Sequence, residues 1–83
     1  MSNMAGNSWQ EKDGKLWRRF EFENFAKALA FVNKVGELAE AANHHPDINF
    51  GWGYVEVSLF THSENKITDK DHNLAQKIDG LIA

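Results

Sequence analysis

"EAANHHPDINF", residues 40–50, is where the period of the apolar residues changes. Upstream of it, Phe25, Ala28, Leu29, Val32, Val35, Ala39 and Ala42 recur every three or four residues, the spacing of one helix face. Phe31 and Leu38 widen that stripe, as expected of a helix lying flat on a sheet. Downstream, Ile48, Phe50 and Trp52 alternate with Asn49 and Gly51, which is the period of a strand. Pro46 lies between the two patterns; it cannot continue a helix, and it biases His45 towards extended backbone. The stretch therefore reads as a helix stopped by Pro46 and followed directly by a strand.

The neighbouring segments extend this alternation of element types. Asn24 is placed to cap the helix, and before it "SWQEKDGKLWRRFEF" reads as two strands around Asp13-Gly14. An Asp-Gly pair suits the type I′ turn, which needs positive φ at both central residues. In the second strand Leu16, Phe20 and Phe22 share one face, with Trp17, Arg19 and Glu21 on the other. Arg18 interrupts the apolar face, which suggests a strand passing the sheet edge there. After residue 52, Val55, Val57 and Leu59 alternate with Tyr54, Glu56 and Ser58. "TDKD" then places Thr68 and Asp71 as a capping box for a last helix carrying Leu74, Ala75, Ile78, Leu81 and Ile82. The order is ββαββα. The economical packing is an α+β two-layer sandwich, a four-stranded antiparallel sheet with two helices on one face.

Bulk properties narrow the function classes. The 83 residues predict one domain, residues 9–83, behind a disordered tail at residues 1–8. Domains of this size bury only about 60 to 65% of their unfolded surface, so assembly with a second copy is expected. The absence of cysteine excludes a disulfide framework and a thiolate metal site. A formal charge of −3 argues against direct nucleic-acid binding, which needs a basic patch. No apolar run approaches the roughly 20 residues that span a bilayer, and "MSNMAGNS" lacks the parts of a signal peptide. A cytoplasmic protein without membrane contact is the expectation.

The polar residues that stand out fall at element ends, where sites on rigid scaffolds tend to sit. His44 and His45 follow the first helix, His62 ends the fourth strand, and Asp71 lies in the first turn of the last helix. Histidine is the side chain suited to moving protons near neutral pH. Taken singly, each has a structural reading: solvated helix-end imidazoles, a strand-end histidine bonded to backbone, a capping aspartate. Glu40 and His72 read alone as solvated helix residues. Three histidines also raise the question of a metal. Adjacent residues such as His44 and His45 project in different directions and seldom share one ion, so no metal site is expected.

Taken together, the residues form a longer pattern: Glu40, three residues, His44-His45-Pro46, five residues, Trp52, nine residues, His62, eight residues, Asp71. This resembles the signature of the pterin-4a-carbinolamine dehydratases, and "SWQEKDGKLWRRFEFENFAKALAFV" and "ITDKDHNLAQKIDGLI" resemble that family's first hairpin and helix and its last helix. The resemblance implies an antiparallel four-stranded sheet, a dimer or tetramer, and dehydration of a 4a-hydroxytetrahydropterin to the quinonoid dihydropterin. That reaction recycles the cofactor of aromatic amino acid hydroxylases in many organisms and requires no metal or cofactor of its own. It further implies His44 and His62 as the acid/base pair, His45, Pro46 and Trp52 as substrate-binding, and Asp71 and Glu40 as supporting acids. Relatives also exist that act as dimerisation cofactors for a transcription factor or resemble assembly factors for the carbon-fixing carboxylase, so a non-catalytic binding role is the alternative. Two departures stand out. Family members often carry an extra helix before the first hairpin, for which eight residues are too few. Lys66 stands where glycine is common, with Asn65 expected to take the left-handed turn instead.

Overall fold

The computed structural model describes residues 8–82; the expected tail, apart from Ser8, and Ala83 lie outside the described residues. Strands β1 (Gln10–Lys12) and β2 (Lys15–Glu21) meet at Asp13-Gly14, whose φ angles of 55° and 78° are those the type I′ turn requires. Helix α1 (Phe25–Ala42) follows, then β3 (Asp47–Gly51), β4 (Tyr54–Leu59) and helix α2 (Asp69–Asp79). All pairings are antiparallel, in the order β1-β2-β4-β3. The chain is therefore the small α+β fold expected, with β1 and β3 at the edges. No helix among the described residues is long and apolar enough to cross a membrane.

Register explains the core. Leu16 faces Leu59, and Phe20 faces Val55, so one side of the two central strands is apolar except at Arg18, which faces Val57. Onto that side pack Ala28, Phe31 and Val35 from α1 and Leu74, Ala75 and Ile78 from α2. Burying a valine- or leucine-sized side chain contributes about 1.5 to 3 kcal/mol, and Val55, Val57, Leu59 and Ile78 are wholly buried.

Three local expectations need correction. Helix α1 buries Ala28, Phe31, Val35 and Ala39, whereas Phe25 and Leu29 are exposed. Two apolar stripes with the same three-and-four spacing run along this helix. The one containing Phe31 faces the sheet because its ring meets Phe20 at 4.7 Å and Phe22 at 5.0 Å. Arg18 does not mark a sheet edge: β2 is an interior strand, and Arg18 lies buried on its core face. Its guanidinium donates to Asp79 Oδ1 at 2.7 Å, and the Trp9 indole donates to the same oxygen at 2.8 Å. Last, Pro46 does not end α1. Asn43 does, in a left-handed conformation (φ 52°), with its N–H donating to Glu40 O and the His44 N–H to Ala39 O. That pair of bonds is a Schellman motif, in which asparagine substitutes for the usual glycine.

Candidate active site

The Schellman turn determines where His44 goes. By reversing the chain at Asn43 it brings the His44 ring against the start of α2, where Nε2 lies 2.5 Å from Asp71 Oδ1. Asp71 is fully buried and both of its oxygens are engaged. Oδ2 accepts from the Thr61 hydroxyl at 2.8 Å and from the Thr68 N–H at 2.9 Å, the second bond being half of the capping box foreseen from the sequence. The Thr61 and Thr68 hydroxyls are 2.7 Å apart.

The direction of the protons follows from valence. Burial pushes the Asp71 carboxyl up, but the bonds from His44, the Thr68 N–H and Thr61 outweigh it and hold it below the ordinary carboxylate value. Asp71 is therefore a carboxylate at neutral pH and can only accept. Thr61 must give it its single proton, so Thr68 donates to Thr61 while accepting from the Lys70 N–H at 3.3 Å. By the same logic His44 Nε2 carries a proton, which leaves Nδ1 as the atom able to take one up.

His44 forms part of the wall of a cleft of about 330 Å³. Ala42 and Asn43 line it from the end of α1, and Lys70, Asn73, Leu74 and Lys77 from α2. This volume falls at the lower end of small-molecule sites.

The other residues singled out from the sequence lie outside that lining. His45 Nε2 pairs with Glu40 Oε2 at 2.5 Å, a second imidazole–carboxylate contact, both side chains more than half exposed. Such an exposed pair is worth at most about 1 kcal/mol. His62 is exposed and packs edge-on against Phe60, with ring centroids 5.1 Å apart. It directly follows Thr61, a member of the hydrogen-bond chain that ends on His44. Asn65 takes the left-handed turn (φ 58°) in the loop beyond, as expected from the missing glycine. Trp52 does not extend β3, which stops at Gly51; it occupies the β3–β4 turn and is 72% exposed.

Comparison with known proteins fits this arrangement. The family model described as pterin 4 alpha carbinolamine dehydratase matches residues 2–81. The chain belongs to this family. A relative from Rubrobacter xylanophilus is 53% identical over 74 residues, covering 88% of this chain and 69% of its own length. One from Methylococcus capsulatus is 52% identical over 77 residues, covering 90% and 68%. Both bear the name "Putative pterin-4-alpha-carbinolamine dehydratase". Among solved structures, a transcriptional coactivator/pterin dehydratase from Brucella melitensis superposes with a TM-score of 0.85 at 35% identity, over 92% of this chain and 83% of the other. A pterin dehydratase-like protein identified as a RuBisCO assembly factor in the alpha-carboxysome superposes at 0.77 and 31%, over 90% and 89%.

Sequence reasoning missed several members of the site. Thr61 looks like an ordinary β-branched strand residue, and nothing local reveals that its hydroxyl meets Asp71 ten residues on. Lys70, Asn73 and Lys77 did carry a signal, since spacings of three and four place them on one face of α2 beside Leu74.

Proposed function

We propose that this chain dehydrates a 4a-hydroxytetrahydropterin. The reaction breaks the C4a–O bond: a proton goes to the hydroxyl, which leaves as water, and the proton on ring N5 is withdrawn, giving the quinonoid dihydropterin. Two imidazoles serve both transfers at neutral pH. In this reading His44 acts through Nδ1 and His62 from the other side of the reacting centre, with acid and base roles set by the stereoisomer bound. His45, Pro46 and Trp52 contact substrate, and Glu40 orients His45. The observation that carries the reading is the buried Asp71 carboxylate, which fixes both the tautomer and the direction of a histidine in a cleft wall. The pterin is the substrate, and loss of water from its hydroxylated form is a recycling step.

The deciding experiment is a dehydration assay on purified protein, run with and without a chelator. Acceleration over the spontaneous reaction, unchanged by the chelator, is the expected result. No acceleration in either condition would leave the second reading, a binding or assembly protein on this fold, which the coactivator and assembly-factor names of the two structural neighbours motivate.

A homodimer, able to pair further into a tetramer, belongs to the same proposal. Edge strand β3 has Phe50 stacked on the exposed Phe25 at 5.6 Å, with Leu29 and Trp52 also exposed. An unpaired strand edge with apolar flanks is a template for a second copy. Light scattering at micromolar concentration is expected to give at least twice the 9.4 kDa chain mass; a monomer mass would refute it.

A further inference from the structure

We propose that the cleft beside His44 selects pterins whose side chain ends in an anion, a carboxylate or a phosphate, and that Lys70 and Lys77 make that selection. The inference rests on the dehydratase reading and adds to it a substrate class. The chain as a whole is acidic, with 12 acidic residues against 9 basic. The cleft reverses that balance: its lining holds two lysines and His44, and no carboxylate. Among the described residues neither ammonium group is engaged by an acid, so both charges are free to meet a ligand.

The geometry also suits an extended group. Lys70 and Lys77 stand two helical turns apart, about 10 Å along the axis. Asn73 lies between them on the same face, three residues from one and four from the other. Its amide, with that of Asn43 from α1, supplies neutral donors along the same wall. Lys70 neighbours Asp71, the residue that holds His44, so one cation sits at the reacting end and the other farther along. A pterin ring held at His44 directs its side chain along α2, and a negative terminus there meets two cations that no carboxylate among the described residues engages. A neutral hydroxylated side chain gains hydrogen bonds but leaves both charges uncompensated.

The test is equilibrium binding of three stable dihydropterins to the full chain: dihydrobiopterin, with a neutral side chain; dihydrofolate, with carboxylates; and dihydroneopterin monophosphate. At low salt the two anionic ligands are expected to bind roughly three- to tenfold tighter than the neutral one, the sum of two exposed ion pairs. Whichever of the two binds better names the source of the anion. The preference is expected to vanish in Lys70→Gln/Lys77→Gln and to shrink in about 0.5 M salt, which screens exposed charges. Equal binding of all three, or a preference that survives the double substitution, overturns the inference and leaves the dehydratase reading intact. If none of the three binds, the pterin reading itself falls, and this inference with it.

Discussion

Replacing His44 with alanine is expected to lower dehydration turnover by roughly 10² to 10⁴-fold, and His62→Ala by a similar factor, the usual loss when one acid/base group is removed. Initial rates with a 4a-hydroxytetrahydropterin at neutral pH measure this directly. The two histidines differ in their support. His44 is held by a buried carboxylate, whereas His62 is exposed and, among the described residues, rests against the Phe60 ring. The His62 variant is therefore expected to fold with unchanged stability, so its loss of rate reads on chemistry alone. His45→Ala, which in the dehydratase reading removes a substrate contact together with the exposed pair to Glu40, is expected to act more on KM than on kcat. Unchanged rates in both the His44 and the His62 variants would end the acid/base assignment.

The second large effect concerns Asp71. In Asp71→Asn the carbonyl oxygen still accepts from Thr61 and Thr68, but an N–H now faces His44 Nε2. The imidazole must shift its proton to Nδ1, and the atom that the dehydratase reading assigns to proton uptake is lost. Turnover is expected to fall about as far as in His44→Ala, and combining the two substitutions is expected to cost little more, because both disable one unit. Asp71→Ala is a different perturbation. It orphans the Thr61 hydroxyl, the Thr68 N–H and His44 in a buried site, at a cost of about 3 to 5 kcal/mol. Against a total stability of roughly 5 to 15 kcal/mol, that variant is expected to show a sharply lowered urea midpoint.

The acid limb of stability carries the same signature. Because folding lowers the Asp71 pKa, its ionised form stabilises the folded state fully above the ordinary value of 3.8, and that contribution disappears as pH falls through the folded value. Urea midpoints measured between pH 2 and 6 are expected to decline at the acid end in the parent chain and to decline less steeply in Asp71→Asn. Identical slopes in the two proteins would show that Asp71 carries no folding-linked charge.

What the sequence made legible was local or periodic. Asp13-Gly14 named its own turn, Thr68 and Asp71 their capping box, and the alternations in β2 and β4 their buried faces. The family pattern named His44 and Asp71, which the structure brings into contact, before any geometry was known; Glu40, His45 and His62, named with them, lie outside the cleft lining. What stayed hidden was decided at long range. Which stripe of α1 faces the sheet depends on aromatic rings in β2, and Arg18 is explained only by Asp79, 61 residues away. Asn43 was readable in principle, since asparagine after the last periodic residue is a stop signal, but the nearby proline offered a more obvious terminator. Thr61 had no local sign at all, because a hydroxyl's partner is fixed by tertiary packing.

The carboxylate that opens α2 is also the one that holds the His44 ring, and this dictates an order of events at the ribosome. His44 emerges 27 residues ahead of Asp71, which at cellular speeds of elongation is roughly one to five seconds. Until α2 is translated and docks, the nascent polypeptide carries a loose imidazole, so under the dehydratase reading a chain abandoned before that helix is expected to be inert rather than half-active.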